Sequence, residues 1–166
     1  MSEVVGSAFI PAYQVLAPQH TESQRDLHIG VVFTTFEDTK EALRAAADLA
    51  AGLCADIDLV VPEIVPYPLP LVRPAVPPGF TLRRLMQMAR EAEVEPSIYV
   101  YLCRDKVQTL LQVLEPHSVV FLGSQKRWFP TKSEFLARTL RKNGHLVILV
   151  TPERTQSLNA EKIFDT

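Results

Sequence analysis

The sequence predicts an α/β fold, a five-stranded parallel sheet with helices on both faces. Three observations carry this. The runs VVFL (119–122) and LVILV (146–150) are short, unbroken and apolar, the form of strands buried on both faces of a parallel sheet. Segments of helix length, with apolar residues at helical spacing, separate such runs along most of the chain. The resulting order, β-α-β-α-β-α-β-α-β, joins parallel strands by right-handed crossovers, which places helices on both faces.

In chain order, residues 1–26 mix small apolar residues with Pro11, Pro18 and the polar run HTESQRD, and they keep no period of two or 3.6. They read as an N-terminal arm, with Ala8 to Leu16 apolar enough to lie against the body or a partner subunit. Leu27 to Phe33 is the first strand, with Gly30 expected where a neighbouring element packs closely. Thr35 with Asp38 three residues on has the form of a helix-start cap, and Ala42, Leu43, Ala46, Leu49, Ala50 and Leu53 then carry a helix over 37–53. Ile57 to Val65 is the second strand, in which Pro62 removes a ladder donor and implies a bulge or a place near the sheet edge. The proline-rich loop 66–79 follows as an extended surface excursion. A helix resumes over 80–91 through Leu82, Leu85, Met86 and Ala89. Ser97 to Cys103 is the third strand, and Asp105 caps a third helix with the stripe Val107, Leu110, Leu111 and Leu114. The fourth strand, 119–122, runs into the loop GSQKRWFPTKSE, a helix over 132–142 and the fifth strand, 146–150. Ligands of such sheets bind outside the carboxyl ends of the strands, so this loop is the first place to look for a site. A polar C-terminal tail occupies 151–166, and the domain proper is 27–150.

Composition narrows the function classes. With 166 residues, 47% of them hydrophobic, one domain can bury a full core. A net charge of -2 gives no overall field for nucleic acid or anionic lipid, although local patches remain open, so no nucleic-acid partner is expected. No apolar run approaches the roughly 18 residues needed to span a bilayer, so membrane insertion is not expected either. Cys54 and Cys103 are too few for a disulfide framework, and no histidine lies near them at ligand spacing, so no metal site is expected and a reducing, cytoplasmic setting is. Cys103 reads as a packed small hydrophobe. His28, His117 and His145 fall at strand starts, away from the carboxyl ends, so no catalytic residues are assigned and the chain reads as a non-enzyme. A dinucleotide fold needs G-x-G-x-x-G after the first strand, where TTFEDT stands instead.

With the segments VVFTTFEDTKEALRAAADLAAGLCADIDLVVPEIVPYP, SIYVYLCRDKVQTLLQVLEPHSVVFLGS and LARTLRKNGHLVILV, the chain resembles the universal stress protein family over 27–150. The resemblance implies an adenine nucleotide alpha hydrolase-like sheet of order 3-2-1-4-5, with a crevice between the ends of the first and fourth strands where Thr34 faces Gly123. It implies a stress-response or regulatory role. Nucleotide-binding members place an aspartate at the end of the first strand and bind phosphates on G-x-x-G-x9-G-[ST], whose glycines let backbone amides approach at a helix start. Here Thr34 stands at the aspartate position, Lys126 at the second glycine, and Ser133 at the third after the loop is shortened.

Two functional readings follow. In the first, the chain is a non-catalytic binding module acting as a homodimer through Leu146, Val147, Ile148, Leu149 and Val150, an apolar edge strand in the implied order. Its ATP site is lost or remodelled, no cofactor is needed, and a protein partner is an alternative occupant. In the second, ATP, AMP or another adenine nucleotide is bound or slowly hydrolysed on the modified loop 123–134, with Thr34, Thr35, Gly123, Ser124, Lys126, Arg127 and Ser133 as ligand residues. Lys126, Arg127, Trp128 and Phe129 form an anion clamp, a partner-binding tip or, the reading with the largest share, a solvated turn anchored by a packed Trp. Glu37 and Asp38 read either as holders of a metal with a phosphate or, with no extra assumption, as first-turn acids that stabilise a helix. Thr131 and Glu134 have the spacing of a capping box.

Overall fold

Six strands and four helices make up a computed structural model that describes residues 9–15, 27–125 and 128–152. In chain order they are β1 (Phe9–Val15), β2 (His28–Val32), α1 (Phe36–Leu53), β3 (Asp56–Ile64), α2 (Pro78–Glu91), β4 (Ser97–Cys103), α3 (Lys106–Val113), β5 (Val119–Gly123), α4 (Lys132–Lys142) and β6 (Leu146–Val150). The sheet order is β1-β4-β3-β2-β5-β6. Its last five strands are parallel and keep the expected 3-2-1-4-5 order.

The sheet has one strand more than expected. β1 runs antiparallel to β4, from Phe9 opposite Cys103 to Val15 opposite Ile98, and makes the sheet mixed. The register shifts between Pro11 and Tyr13, which breaks the alternation that would have marked the segment as a strand.

α1 and α2 cover one face and α3 and α4 the other. Ala42, Leu43, Ala46, Leu85 and Met88 pack with Ile29, Val31, Leu59, Val61, Ile98, Val100 and Phe121. On the far side Leu110, Leu114, Leu136, Ala137 and Leu140 pack with Val32, Val60, Val120, Leu122 and Val147. Alternate residues of one strand thus enter two different cores, which explains the unbroken apolar runs.

Pro62 lies in an interior strand without a bulge, opposite Tyr101 of β4. Phe33 N donates to Val60 O, so even-numbered residues of β3 turn their peptide groups toward β2. β2 ends at Val32, so the missing donor of Pro62 falls where no ladder bond is made. The close packing expected at Gly30 is only ordinary contact, since a Cβ there would meet Leu114 at 3.5 Å. The proline-rich loop is tied down from β4's end: Arg104 donates to Val65 O and Leu69 O and stacks 4.1 Å above the Tyr67 ring.

Candidate functional site at the switch point

Three helix starts converge at the carboxyl end of the sheet, each capped by the residue that precedes it. Thr35 Oγ1 accepts from Asp38 N at 3.2 Å and donates to Asp38 Oδ2 at 2.8 Å. Asp105 accepts from Gln108 N at 3.0 Å. Thr131 and Glu134 exchange both bonds of a capping box, at 3.1 and 3.2 Å. These caps are local in sequence, and all three have the residue types expected there.

Between α1 and α4, β2 and β5 end side by side. Thr34 Oγ1 donates to Gly123 O at 3.2 Å, so the two residues expected to flank the crevice are bonded to each other. Thr34 N donates to Thr39 Oγ1 at 3.1 Å. A Cβ on Gly123 would lie 2.1 Å from Asp38 O and 2.4 Å from Asp38 C. The glycine therefore lets the first turn of α1 rest directly on the end of β5, a packing role that needs no ligand. Beyond it, buried Ser124 donates its N–H to Val150 O at 2.8 Å and shares a 3.0 Å hydroxyl–hydroxyl bond with Thr131.

Of the sequence-predicted ligand residues, Thr34, Gly123 and Ser124 come together in this bonded seam, and Thr35 serves as a cap beside it. Ser133 lies half-buried in the first turn of α4. Lys126 and Arg127 lie outside the described residues. The reading of Trp128 as a packed anchor is overturned: its ring is fully exposed, and Phe129 is 81% exposed, because Pro130 and the Thr131 cap turn the chain into α4 before either ring can reach the sheet.

Of two neighbours of the seam, one was not singled out from the sequence and the other was read there as a helix-start acid. Lys106, the first residue of α3, donates from Nζ to Phe33 O at 2.9 Å, and burial first, then the charge of Lys132, moves its pKa in opposition to protonation, below the usual lysine value. Its position directly after a strand end and a cap was the available signal. Asp38 is buried, and its Oδ1 has no hydrogen-bond partner among the described residues. Cys103 is also buried, which pushes its thiol pKa up and keeps it protonated, as a packed small side chain requires.

His28 and His145 lie away from the seam. His28 bonds Asp58 at 2.9 Å and His145 bonds Ser118 at 3.1 Å, both at the amino ends of strands. A cleft of about 590 Å³ also opens at that end, among Ala50, Cys54, Asp56, Arg90 and Glu95. Among the described residues no group of three or more His, Cys, Asp or Glu is placed to hold a metal ion. No helix among them is long and apolar enough to cross a membrane.

A five-stranded parallel core of this order has counterparts among solved structures. A universal stress protein from Archaeoglobus fulgidus superposes with a TM-score of 0.51 at 16% identity, covering 74% of this chain and 92% of that one. The fold is that of the universal stress proteins. A protein of the universal stress protein family from Burkholderia pseudomallei covers 74% of this chain and 94% of its own length at 16% identity, with a TM-score of 0.46. No protein-family model and no curated protein sequence matches the chain. The universal stress protein fold is thus seen here in strand order and packing, at 16% sequence identity.

Proposed function

We propose that this chain is a non-catalytic binding module with the universal stress protein fold, acting as a homodimer in a stress-response or regulatory setting, with the nucleotide crevice of the fold remodelled. The observation that supports this reading is the bonded seam: Thr34, which the resemblance sets at the aspartate position of nucleotide-binding universal stress proteins, spends its hydroxyl on Gly123 O. Gly123 in turn is backed by the Asp38 backbone. On this reading a ligand entering between these strand ends competes with the Thr34–Gly123 bond.

The second reading, an ATP- or AMP-binding protein, rests on the cap of α4 and on Ser124, Lys126, Arg127 and Ser133 beside it. Isothermal calorimetry with ATP, ADP, AMP and cyclic nucleotides separates the two. The first reading expects no saturable heat and no thermal shift. Saturable micromolar binding that Lys126→Ala weakens replaces it with the second.

A further inference from the structure

The segment 125–142 carries six basic residues and one acid, in a chain whose totals are 17 basic and 19 acidic residues. The one acid, Glu134, is occupied in the capping box. Within α4 the inner face, Leu136, Ala137 and Leu140, is packed on the sheet. Lys132, Phe135, Arg138 and Lys142 are exposed at spacings of three and four, so they share the outer face. No ion pair joins Lys132, Arg138 or Lys142 to a carboxylate among the described residues. Directly before this stripe stand the wholly exposed Trp128 and the 81% exposed Phe129, while Phe135 within it is 66% exposed.

Soluble surfaces carry single exposed aromatics without consequence, but three exposed rings within eight residues of sequence, next to a cationic helix face, offer apolar area and positive charge together. We infer that the 128–130 loop and the outer face of α4 dock peripherally on an anionic phospholipid surface, the rings entering the headgroup boundary and the cations facing lipid phosphates. Charge selects this occupant. A second copy related by a two-fold axis sets the cationic stripe against itself, which opposes pairing through this face. Even wholly buried, three rings at about 150–250 Å² each fall short of the ~800 Å² per side of a stable protein interface. Phe129, Pro130 and Phe135 also offer apolar area without hydrogen-bonding groups for base edges, whereas Trp and Phe beside Lys and Arg suit the membrane interface.

Trp128 is the chain's one tryptophan, so its emission reports on this loop alone. The test mixes the full chain with phosphatidylcholine vesicles, with and without phosphatidylglycerol, and follows emission and co-sedimentation. The expected result is a blue shift and co-sedimentation with the anionic vesicles only, both reversed by high salt. Lys132→Gln and Arg138→Gln each weaken partition about fivefold, the equivalent of roughly 1 kcal/mol per basic residue near an anionic surface. Phe135→Ser lowers it further while the circular dichroism spectrum stays unchanged. The inference is overturned if anionic vesicles leave the emission unshifted, or if the protein alone already emits in the blue, which means that its own chain or a second copy covers the ring. It is also overturned if single-stranded RNA shifts the emission and vesicles do not.

Discussion

At Gly123 the fold and the candidate site depend on the same atom, a missing Cβ. Because the obstructing atoms are backbone, Asp38 O and C, an added methyl cannot be accommodated by a rotamer change. Gly123→Ala must push α1 off the end of β5 and break the Thr34 bond, so it is expected to cost about 3 kcal/mol, the upper end of overpacking. At Gly30 a Cβ finds ordinary contact at 3.5 Å, so Gly30→Ala is expected to change stability by less than about 1 kcal/mol. Urea denaturation of the two variants checks the contrast, and equal losses refute the packing role. His145 supports a second residue-scale prediction. It is buried against Ser118, and burial, then the charge of His117, lowers its pKa from its ordinary value near 6.5. Protons therefore bind the unfolded chain more readily. Stability is highest above pH 6.5 and falls as pH drops through the lowered folded value. Glu63 acts with the opposite sign, because burial raises its pKa from 4.5 and favours the folded state on protonation. The measurable quantity is thus the difference in urea midpoint between wild type and His145→Asn across pH 5 to 8, which should narrow or reverse toward acid pH. A difference independent of pH refutes the assignment.

Among elements, those written in local chemistry were legible. The caps Thr35, Asp105 and Thr131, the apolar stripe of α3 and the five parallel strands all follow from residues within a turn or a strand of one another. β1 was not, because its pairing with β4 spans nearly ninety residues and Pro11 with a register shift removes the period of two. The interior position of Pro62 was obscured for a related reason: how far β2 extends beside β3 is a tertiary fact. The candidate site divides similarly. Glycine at 123 was visible, but its cause, α1 lying on β5, involves residues some 85 positions apart. The exposure of Trp128 ran against the average behaviour of tryptophan, because a short loop ending in Pro130 and a cap holds it away from the sheet.

For the whole molecule, the two sheet edges are unlike, and that difference bears on assembly. The β1 edge is blunted by Pro11 and an irregular register, devices that discourage strand addition. The β6 edge is regular, paired without a shift from Leu146 opposite Val119 to Val150 opposite Gly123. Leu146 N donates to Ser118 O, and Val150 O accepts from Ser124 N, so even-numbered residues face β5 and Val147 and Leu149 face outward. The outward carbonyl of Val147 is taken by Arg141 at 2.8 Å, which leaves the Leu149 peptide as the place where a second strand can add. If the homodimer forms there, Leu149→Pro removes the outward donor and leaves the bonds to β5 in place. Sedimentation velocity at micromolar concentration is expected to give a dimer for the wild type and a monomer for Leu149→Pro, with the variant's melting temperature little changed. A monomeric wild type, or a variant that remains dimeric, rules out pairing through this strand.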